Sequence, residues 1–268
     1  MKFSFIYPSD PIHPHKIDES FEKEANLLKS ANFSIHLINT DYIENSKIIP
    51  ILNKEDKFLY RGWMLNKESY EKLYCKVNQQ LLTSPESYLY AHHLPNWYND
   101  LKEFTMKSSY SLGEDIKKLY EDWGNKPAFV KDYVKSLKTG SPPIISSQIE
   151  LKQLMDKMKK YRGYIEGGIV LREAKELITD TETRFFVFKG NVFSKDETVS
   201  IEMQGIAQEI AQKVSNNLFY SIDLAKDKTG KVWLIEIGDG QVSDSVGWKQ
   251  EDFAGIFKYA KPEIKFKP

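Results

Sequence analysis

The chain has 268 residues, and its 38 Lys and Arg balance its 38 Asp and Glu, so the formal net charge is zero. This length gives room for one large domain or two modest ones, and the zero net charge argues against a dedicated basic or acidic tail. Apolar residues make up 41% of the sequence and aromatic residues 13%. Such a composition is typical of a globular protein with a substantial core and excludes a disordered chain.

Membrane and disulfide classes are also disfavoured by the sequence. No apolar run approaches the roughly 20 residues that span a bilayer. The start turns polar at Pro8, Ser9 and Asp10 before the core of a signal peptide could form, so we expect a cytoplasmic protein. Cys75 is the single cysteine, which excludes an intrachain disulfide, and the histidines do not have the spacing of a zinc site.

The first part of the sequence predicts a β-α-β unit followed by helices. Residues 2–7, 33–38 and 58–61 have the short apolar or alternating patterns of strands, and residues 17–30 have apolar residues at helical spacing. Residues 67–123 are mainly helical in pattern.

A change of composition near residues 125–127 predicts a boundary, with an amino-terminal region of residues 1–125 and a second region of residues 126–268. The second region is richer in β-branched and aromatic residues. It predicts a helix capped by Ser147, a helix over residues 203–214, and strands over residues 128–131, 168–172, 184–188, 219–224 and 232–237.

The last two of these strands predict a hairpin that brings two carboxylates together. If the turn centres on Thr229 and Gly230, antiparallel pairing places Asp223 opposite Glu236. Opposed like charges about 5 Å apart are destabilising unless something neutralises them, and a divalent cation with oxygen ligands does so. The alternative is a solvated sheet face with a different turn register.

Three basic residues are candidates for binding phosphate. Lys131 ends an apolar strand, where a fixed ammonium group suits phosphate oxygens, and Lys135 lies in the polar turn that follows. The alternative is an ordinary solvated lysine turn, and no Walker A motif is present. Arg184 begins an otherwise apolar strand and should meet an anion, which is either a phosphate or a structural carboxylate such as Glu173 or Glu182.

Together these pieces resemble the ATP-grasp superfamily, and within it the R2K clade. The likeness is most specific over residues 128–243, where a strand with a lysine, a linker helix, a hinge strand, an arginine strand, an aspartate strand and a strand ending Ile235-Glu-Ile-Gly-Asp239 follow in order. The resemblance implies an α/β protein in which two α+β lobes clamp ATP, preceded by the amino-terminal β-α-β and helical region.

The resemblance also implies roles for particular residues. Lys131 would contact the phosphates, and Arg184 would hold the terminal phosphate or an acyl-phosphate. Asp223 and Glu236 would bind Mg²⁺. The hinge that hydrogen-bonds adenine would be the segment of Val170, Leu171, Arg172 and Glu173.

One position departs from the family pattern. The family's last strand normally carries Glu, one residue, then Asn as a further metal ligand, and Gly238 stands at the place of that Asn. Either Asp239 supplies the third ligand, or the second metal is held weakly, or catalysis is impaired.

The reaction implied is ATP- and Mg²⁺-dependent ligation, in which a carboxylate becomes an acyl-phosphate and an amine then displaces phosphate to form an amide. Arg184, Lys135 and Arg61 are the catalytic candidates, with Arg61 expected to hold a substrate anion and Asp10 a weaker candidate for that role. Two alternatives stay open. One is ligation or end repair on nucleic acid, with a stacking and phosphate-binding surface formed by Tyr88, Tyr90, Trp97 and the lysines near Lys135. The other is a nucleotide-binding protein without catalysis.

Overall fold

The computed structural model of the chain describes residues 3–53, 56–111, 115–137, 142–195, 198–214, 216–245 and 247–260. Its strands are β1 (Phe3–Pro8), β2 (Ile35–Ile38), β3 (Lys57–Tyr60), β4 (Ser108–Tyr110), β5 (Ala128–Asp132), β6 (Ile144–Ile145), β7 (Ile169–Arg172), β8 (Thr183–Phe188), β9 (Asn191–Phe193), β10 (Phe219–Lys226) and β11 (Val232–Asp239). Its helices are α1 (Glu22–Ser30), α2 (Lys67–Lys76), α3 (Pro85–His92), α4 (Leu94–Leu101), α5 (Ile116–Asp122), α6 (Gln148–Arg162), α7 (Ile201–Lys213) and α8 (Gln250–Ile256). The α/β prediction is confirmed, and the predicted strands lie within two residues of observed ones. The helix predicted over residues 17–30 begins only at Glu22, and the segment of residues 67–123 also contains the strand β4.

The chain forms two compact units. The first unit contains Met1–Leu89, Arg184–Ile222 and Gly238–Pro268, and the second unit contains Tyr90–Thr183 and Asp223–Ile237. The chain passes from one unit to the other within β10 and β11. The units are therefore interleaved along the sequence, whereas composition predicts two consecutive regions that meet at residue 125. The division into residues 1–125 and 126–268 stays a prediction.

The first unit begins with the predicted β-α-β arrangement. Its three-stranded parallel sheet has the order β2-β1-β3. All six residues of β1 are buried, as expected for the central strand of a parallel sheet that is covered on both faces. Phe3, Phe5 and Tyr7 pack with aromatic residues of β8 and α8 in one apolar cluster.

The second unit contains an antiparallel sheet of order β4-β7-β5-β6. The helix α6 covers this sheet through Leu151, Met155 and Met158, which are buried with residues of β5 and β7. The helix begins at the predicted cap, because the Ser147 hydroxyl accepts a hydrogen bond from Glu150 N at 3.2 Å.

A four-stranded sheet of order β11-β10-β8-β9 completes the fold. The helix α7 contributes Met203, Ala207 and Ile210 to the interior. Within the described ranges, no helix is both long and apolar enough to cross a membrane.

Candidate functional site

The pairing register of the β10-β11 hairpin differs between its two ends. Beside the turn, Asp227 N donates to Lys231 O at 3.0 Å, and at the other end Gly240 N donates to Phe219 O at 3.2 Å. The residue numbers of these two pairs sum to 458 and 459, so the register shifts by one residue between them. Alternate burial along β11 is interrupted at Ile235 and Glu236, which are both half-buried. These observations place a β-bulge there.

The bulge keeps the two predicted carboxylates on one face of the hairpin. If the pairing beside the turn is extended along the strands, Asp223 lies opposite Ile235. If the pairing at the other end of the hairpin is extended, Asp223 lies opposite Glu236. A bulge directs the side chains of its two residues to the same side of the strand. The Asp223 side chain is buried, so the hairpin presents one buried and one half-exposed carboxylate.

Lys131 is paired with one of these carboxylates, that of Glu236. Its Nζ is 3.4 Å from Glu236 Oε2, and its side chain is 5% exposed against 38% for Glu236. The strand β5 fixes the lysine, since Lys131 pairs with Val170 of β7. In this structure the lysine therefore neutralises the carboxylate, a role for which the sequence suggested a metal ion.

Arg172 holds the backbone of β11 at the bulge. Its guanidinium donates to Ile235 O at 2.7 Å, to Leu234 O at 2.9 Å and to the Thr105 hydroxyl. Burial lowers the pKa of Arg172 to about 10, although the Glu236 carboxylate opposes the change. The side chain, predicted only as part of a hinge, thus positions the carbonyl groups beside Glu236.

The predicted hinge strand is hydrogen-bonded on both sides. Val170 and Leu171 pair with β4 on one edge and with β5 on the other, and Glu173 N donates to Lys107 O at 2.9 Å. Their backbone groups are therefore used within the sheet. Ala174 comes next, and no described residue hydrogen-bonds to its backbone.

An aspartate holds the turn after Lys131. Asp132 Oδ1 accepts hydrogen bonds from Val134 N at 2.8 Å and Lys135 N at 2.5 Å, and Arg162 Nη1 lies 2.5 Å from Asp132 Oδ2. Lys135 is exposed. The turn is thus an ordered element, and the Lys135 side chain projects from it towards solvent.

Arg61, predicted to hold a substrate anion, is buried and paired with groups of the protein itself. Its side chain is 3% exposed and forms a bidentate ion pair with Glu24, with distances of 2.8 and 2.7 Å. The same guanidinium donates to the carbonyl oxygens of Gly240, Gln241 and Ser243 at 2.8, 3.0 and 3.1 Å. Arg61 is therefore an internal brace for the segment that follows β11.

Packing explains why a glycine stands at position 238. A Cβ atom there would lie 2.7 Å from Ser221 Oγ and 2.9 Å from Ser243 Oγ, and these two hydroxyls are hydrogen-bonded to each other at 2.9 Å. An asparagine at this place would displace both serines. Gly238 thus fits the present positions of the two serine hydroxyls.

Asp239 is a buried carboxyl group held by Gln241. Its Oδ1 accepts from Gln241 N at 2.9 Å and Gln241 Nε2 at 3.1 Å, while Oδ2 is buried without a partner among the described residues. Burial raises the pKa of Asp239 to about 7. Among the described residues, no group of three His, Cys, Asp or Glu side chains could hold a metal ion. Asp239 belongs to the first unit, whereas Asp223 and Glu236 belong to the second.

Arg184 lies at the start of β8, as predicted, and one of its partners is a main-chain oxygen. Its Nη1 donates to Asp244 O at 2.9 Å. In the same region, Trp248 Nε1 donates to Arg184 O at 3.1 Å. The arginine thus contacts the segment after β11 through its side chain and its backbone.

The aromatic residues considered for nucleic-acid stacking are mostly core. Tyr88 and Trp97 are at most 1% exposed, and Tyr88 stacks on Tyr70 at 3.9 Å between ring centroids. Tyr90 donates to Asp100 Oδ2 at 2.9 Å. Two of the three rings are buried and cannot stack on a base, so the structure gives no support to the stacking surface of the nucleic-acid alternative.

Sequence reasoning missed the residues that support the site. Arg172 and Thr105 hold the carbonyls of β11, and Glu24 pairs with Arg61, which holds the segment after it. A charged residue inside an otherwise apolar strand, as in Ile169-Val-Leu-Arg172, was the available signal for the first of these.

The family of the chain follows from its match to a family profile. Residues 118–255 match the ATP-grasp domain, R2K clade family 3, which is more than half of the chain. The protein therefore belongs to this family. No curated protein sequence matches the chain.

Solved ATP-grasp structures share the fold. D-cycloserine synthetase DcsG is 12% identical with a TM-score of 0.60, covering 96% of this chain and 99% of that chain. The D-alanine-D-alanine ligase from Coxiella burnetii is 13% identical with a TM-score of 0.60, covering 95% and 91%. N5-carboxyaminoimidazole synthetase from Staphylococcus aureus, solved with ADP, is 12% identical with a TM-score of 0.61, covering 94% and 76%. The predicted ATP-grasp fold is confirmed.

Proposed function

We propose that the protein is an ATP- and Mg²⁺-dependent ligase that joins a carboxylate to an amine. The observation that carries the proposal is the ion pair between Lys131 and Glu236 beside Asp223, in a chain that belongs to an ATP-grasp family. A cation and two carboxylates at one place are the groups that nucleotide phosphates and Mg²⁺ require.

Lys131 has the geometry to exchange one anion for another. In this structure its ammonium group is paired with Glu236. On nucleotide binding, Lys131 turns to the phosphate oxygens, which carry more negative charge, and Glu236 becomes available to a metal. The lysine can make this change without leaving the site, because β5 fixes its backbone.

Asp223 and Glu236 fit a magnesium site. Mg²⁺ is commonly held by one or two carboxylates, with water and substrate phosphates completing six ligands, so a third protein carboxylate is unnecessary. Asp239, bonded to Gln241, is omitted from the proposed site. Bound Mg²⁺ would neutralise charge on the phosphates.

The adenine contact in the proposal lies just beyond β7. Since the backbone of Val170 and Leu171 is used within the sheet, the base would be recognised by the backbone at Ala174, next to Glu173. The main chain there offers both a donor and an acceptor.

In the proposed reaction, a substrate carboxylate oxygen attacks the γ-phosphorus and the bond from phosphorus to the ADP oxygen breaks. The amine then attacks the acyl carbon, loses a proton, and phosphate leaves as the amide forms. Lys131 and Arg184 would stabilise the transferring charge, and Lys135 could close over the phosphates from its exposed turn. No observation now favours nucleic acid as the acceptor.

The test is to trap the acyl-phosphate. Protein, ATP and Mg²⁺ are incubated with pooled carboxylates and hydroxylamine, which converts an acyl-phosphate into a hydroxamate that mass spectrometry detects. The proposal expects a hydroxamate whose formation requires ATP and is lost in Lys131→Ala. Hydroxamate formation that persists in Lys131→Ala, or ATP consumption that no carboxylate stimulates, would contradict it.

A further inference from the structure

One arginine of α6 holds the turn that follows β5. Arg162 is the last residue of the helix. Its Nη1 lies 2.5 Å from Asp132 Oδ2, and its Nη2 donates to Lys135 O at 3.2 Å. Asp132 N donates to the same carbonyl oxygen at 3.1 Å. The guanidinium therefore contacts both ends of the turn of residues 132–135, and no role in the proposed reaction has been assigned to it.

The Asp132 carboxylate links Arg162 to the backbone of this turn. Its Oδ1 accepts hydrogen bonds from Val134 N at 2.8 Å and from Lys135 N at 2.5 Å, and its Oδ2 faces Arg162. The side chain of Asp132 is 2% exposed and that of Arg162 is 24% exposed. Removing the arginine would leave a buried carboxylate without the cation that pairs with it, which is costlier than losing an exposed ion pair.

The end of α6 that carries Arg162 is itself fixed. One side of the helix is buried against the sheet through Leu151, Met155 and Met158. Gly163 ends the helix with a φ of 83°, and its N donates to Lys159 O at 2.7 Å. The planar guanidinium thus reaches the turn from a packed helix, so it can hold the turn in one position.

The turn lies beside the lysine proposed to bind phosphate. Lys131 directly precedes Asp132 on β5, and its backbone forms an isolated antiparallel bridge with Ser136. The chain therefore returns along Lys131 after the turn, and Lys135 lies next to the end of the strand that carries Lys131. Lys135 is exposed, so a nucleotide can reach it.

Arg162 is not itself placed to bind a phosphate. Its two terminal nitrogens are hydrogen-bonded to the turn, and its charge is paired with that of Asp132. An effect of Arg162 on nucleotide binding would therefore pass through the turn that it holds.

We propose that Arg162 is a positioning residue of the nucleotide site, which fixes the turn of residues 132–135 so that Lys135 contacts the phosphates beside Lys131. This inference rests on the proposed ligase function and names the residue on which the closing turn depends. A turn that is already ordered loses less conformational entropy when the nucleotide binds than a mobile one. The contribution of Arg162 should therefore appear in the affinity for ATP.

A double-mutant cycle with the full chain tests the proposal. Calorimetry measures the affinity for ATP with Mg²⁺ of the wild type, Arg162→Gln, Lys135→Ala and the double variant, at a temperature where thermal unfolding shows each to be folded. Each single change should weaken the affinity at least about threefold. Because Arg162 acts through Lys135, the double variant should bind no more weakly than the weaker single variant. A loss of stability alone would not produce this coupling, since the affinity is measured on folded protein.

A second variant and a control complete the cycle. Arg162→Lys keeps a cation opposite Asp132 but lacks the planar fork that contacts two oxygens at once, and it replaces Arg162→Gln in the cycle if the latter does not fold. It should show the same coupling to Lys135→Ala. The matched control is Lys160→Gln, which changes an exposed residue in the last turn of the same helix. It should leave the affinity for ATP unchanged.

The outcomes separate this inference from the ligase proposal. The role of Arg162 would be overturned, with the ligase proposal intact, if the losses of affinity added in the double variant. The same holds if Lys135→Ala bound ATP as the wild type does, or if Lys160→Gln lost as much affinity as Arg162→Gln. Absence of ATP binding by the wild type would instead overturn the ligase proposal, and this inference with it.

Discussion

Lys131 Nζ lies 3.4 Å from Glu236 Oε2, and this pair joins a strand of the antiparallel sheet to the bulge of the β10-β11 hairpin. The lysine is almost fully buried while the glutamate is about two-fifths exposed. Water can therefore still reach the carboxylate, so the pair can open at a smaller cost than a fully buried one. A nucleotide that competes for Lys131 would find the ammonium group for its phosphates, and the carboxylate for its Mg²⁺, already in place.

Lys131→Ala should weaken ATP binding by about tenfold or more, because it removes a charge-assisted contact with phosphate oxygens. Calorimetry with ATP and Mg²⁺ measures the change. The control is Lys228→Ala, whose side chain is 69% exposed and paired with Glu176. Equal effects from the two variants would show that Lys131 is only a structural lysine.

Asp223→Asn should remove most of the effect of Mg²⁺ on ATP affinity, because the buried carboxylate is a proposed metal ligand. ATP affinity without metal should be unchanged. The matched control on the same hairpin is Asp227→Asn, because Asp227 accepts hydrogen bonds from Thr229 and Trp233 that lower its pKa to about 2. Asp227→Asn should lower the stability of the protein but leave the effect of Mg²⁺ on ATP affinity unchanged. If Asp227→Asn removed that effect and Asp223→Asn did not, the proposed metal site at Asp223 would be wrong.

Asp239→Asn should flatten the pH dependence of stability. The folded-state pKa of about 7 lies above the ordinary value of 3.8, so the folded protein retains a proton that the unfolded chain releases between these values. The stabilising contribution is complete in acid and is lost as the pH rises through 7. From pH 5 to pH 8 the loss would be on the order of 2–3 kcal/mol.

Urea unfolding of the wild type and Asp239→Asn at both pH values measures this difference. An unchanged pH dependence would mean that the carboxyl group titrates normally. The variant should also bind Mg²⁺-ATP as the wild type does, since Asp239 is bonded to Gln241 and takes no part in the proposed metal site.

Arg61→Met should destabilise the protein by roughly 3–5 kcal/mol, because it leaves Glu24 buried without its partner. Chemical denaturation measures the loss. The double variant with Glu24→Leu should regain much of it, since the unpaired charge is then removed. If the single variant were as stable as the wild type, Arg61 would not be the internal brace that its contacts indicate.

Local patterns predicted most of the fold correctly. The all-apolar β1 and the helical spacing of α1 predict the β-α-β unit, and Ser147 caps α6 as its position indicates. The interleaving of the two units could not be predicted in this way. It depends on contacts between distant segments, such as Arg61 with Gly240, and periodicity carries no information about them.

The candidate site was also predicted only in part, because its local geometry follows from the sequence and its contacts between distant segments do not. Hairpin geometry is local, so the placement of Asp223 with Glu236 on one face follows from the sequence. A bulge of one residue leaves no composition signal, and it is visible only from the hydrogen bonds at the two ends of the hairpin. The brace formed by Arg172 and the burial of Arg61 are tertiary, and a charged side chain in an apolar strand does not reveal its partner.

The most direct test of the account is the binding of ATP to the full chain with and without Mg²⁺, measured by calorimetry and by thermal unfolding. A ligand that binds only the folded state raises the melting temperature by mass action. We predict saturable ATP binding that Mg²⁺ strengthens, with a rise in melting temperature at millimolar nucleotide. No heat of binding and no change in melting temperature under either condition would contradict the proposal that this ATP-grasp chain is an ATP-dependent ligase.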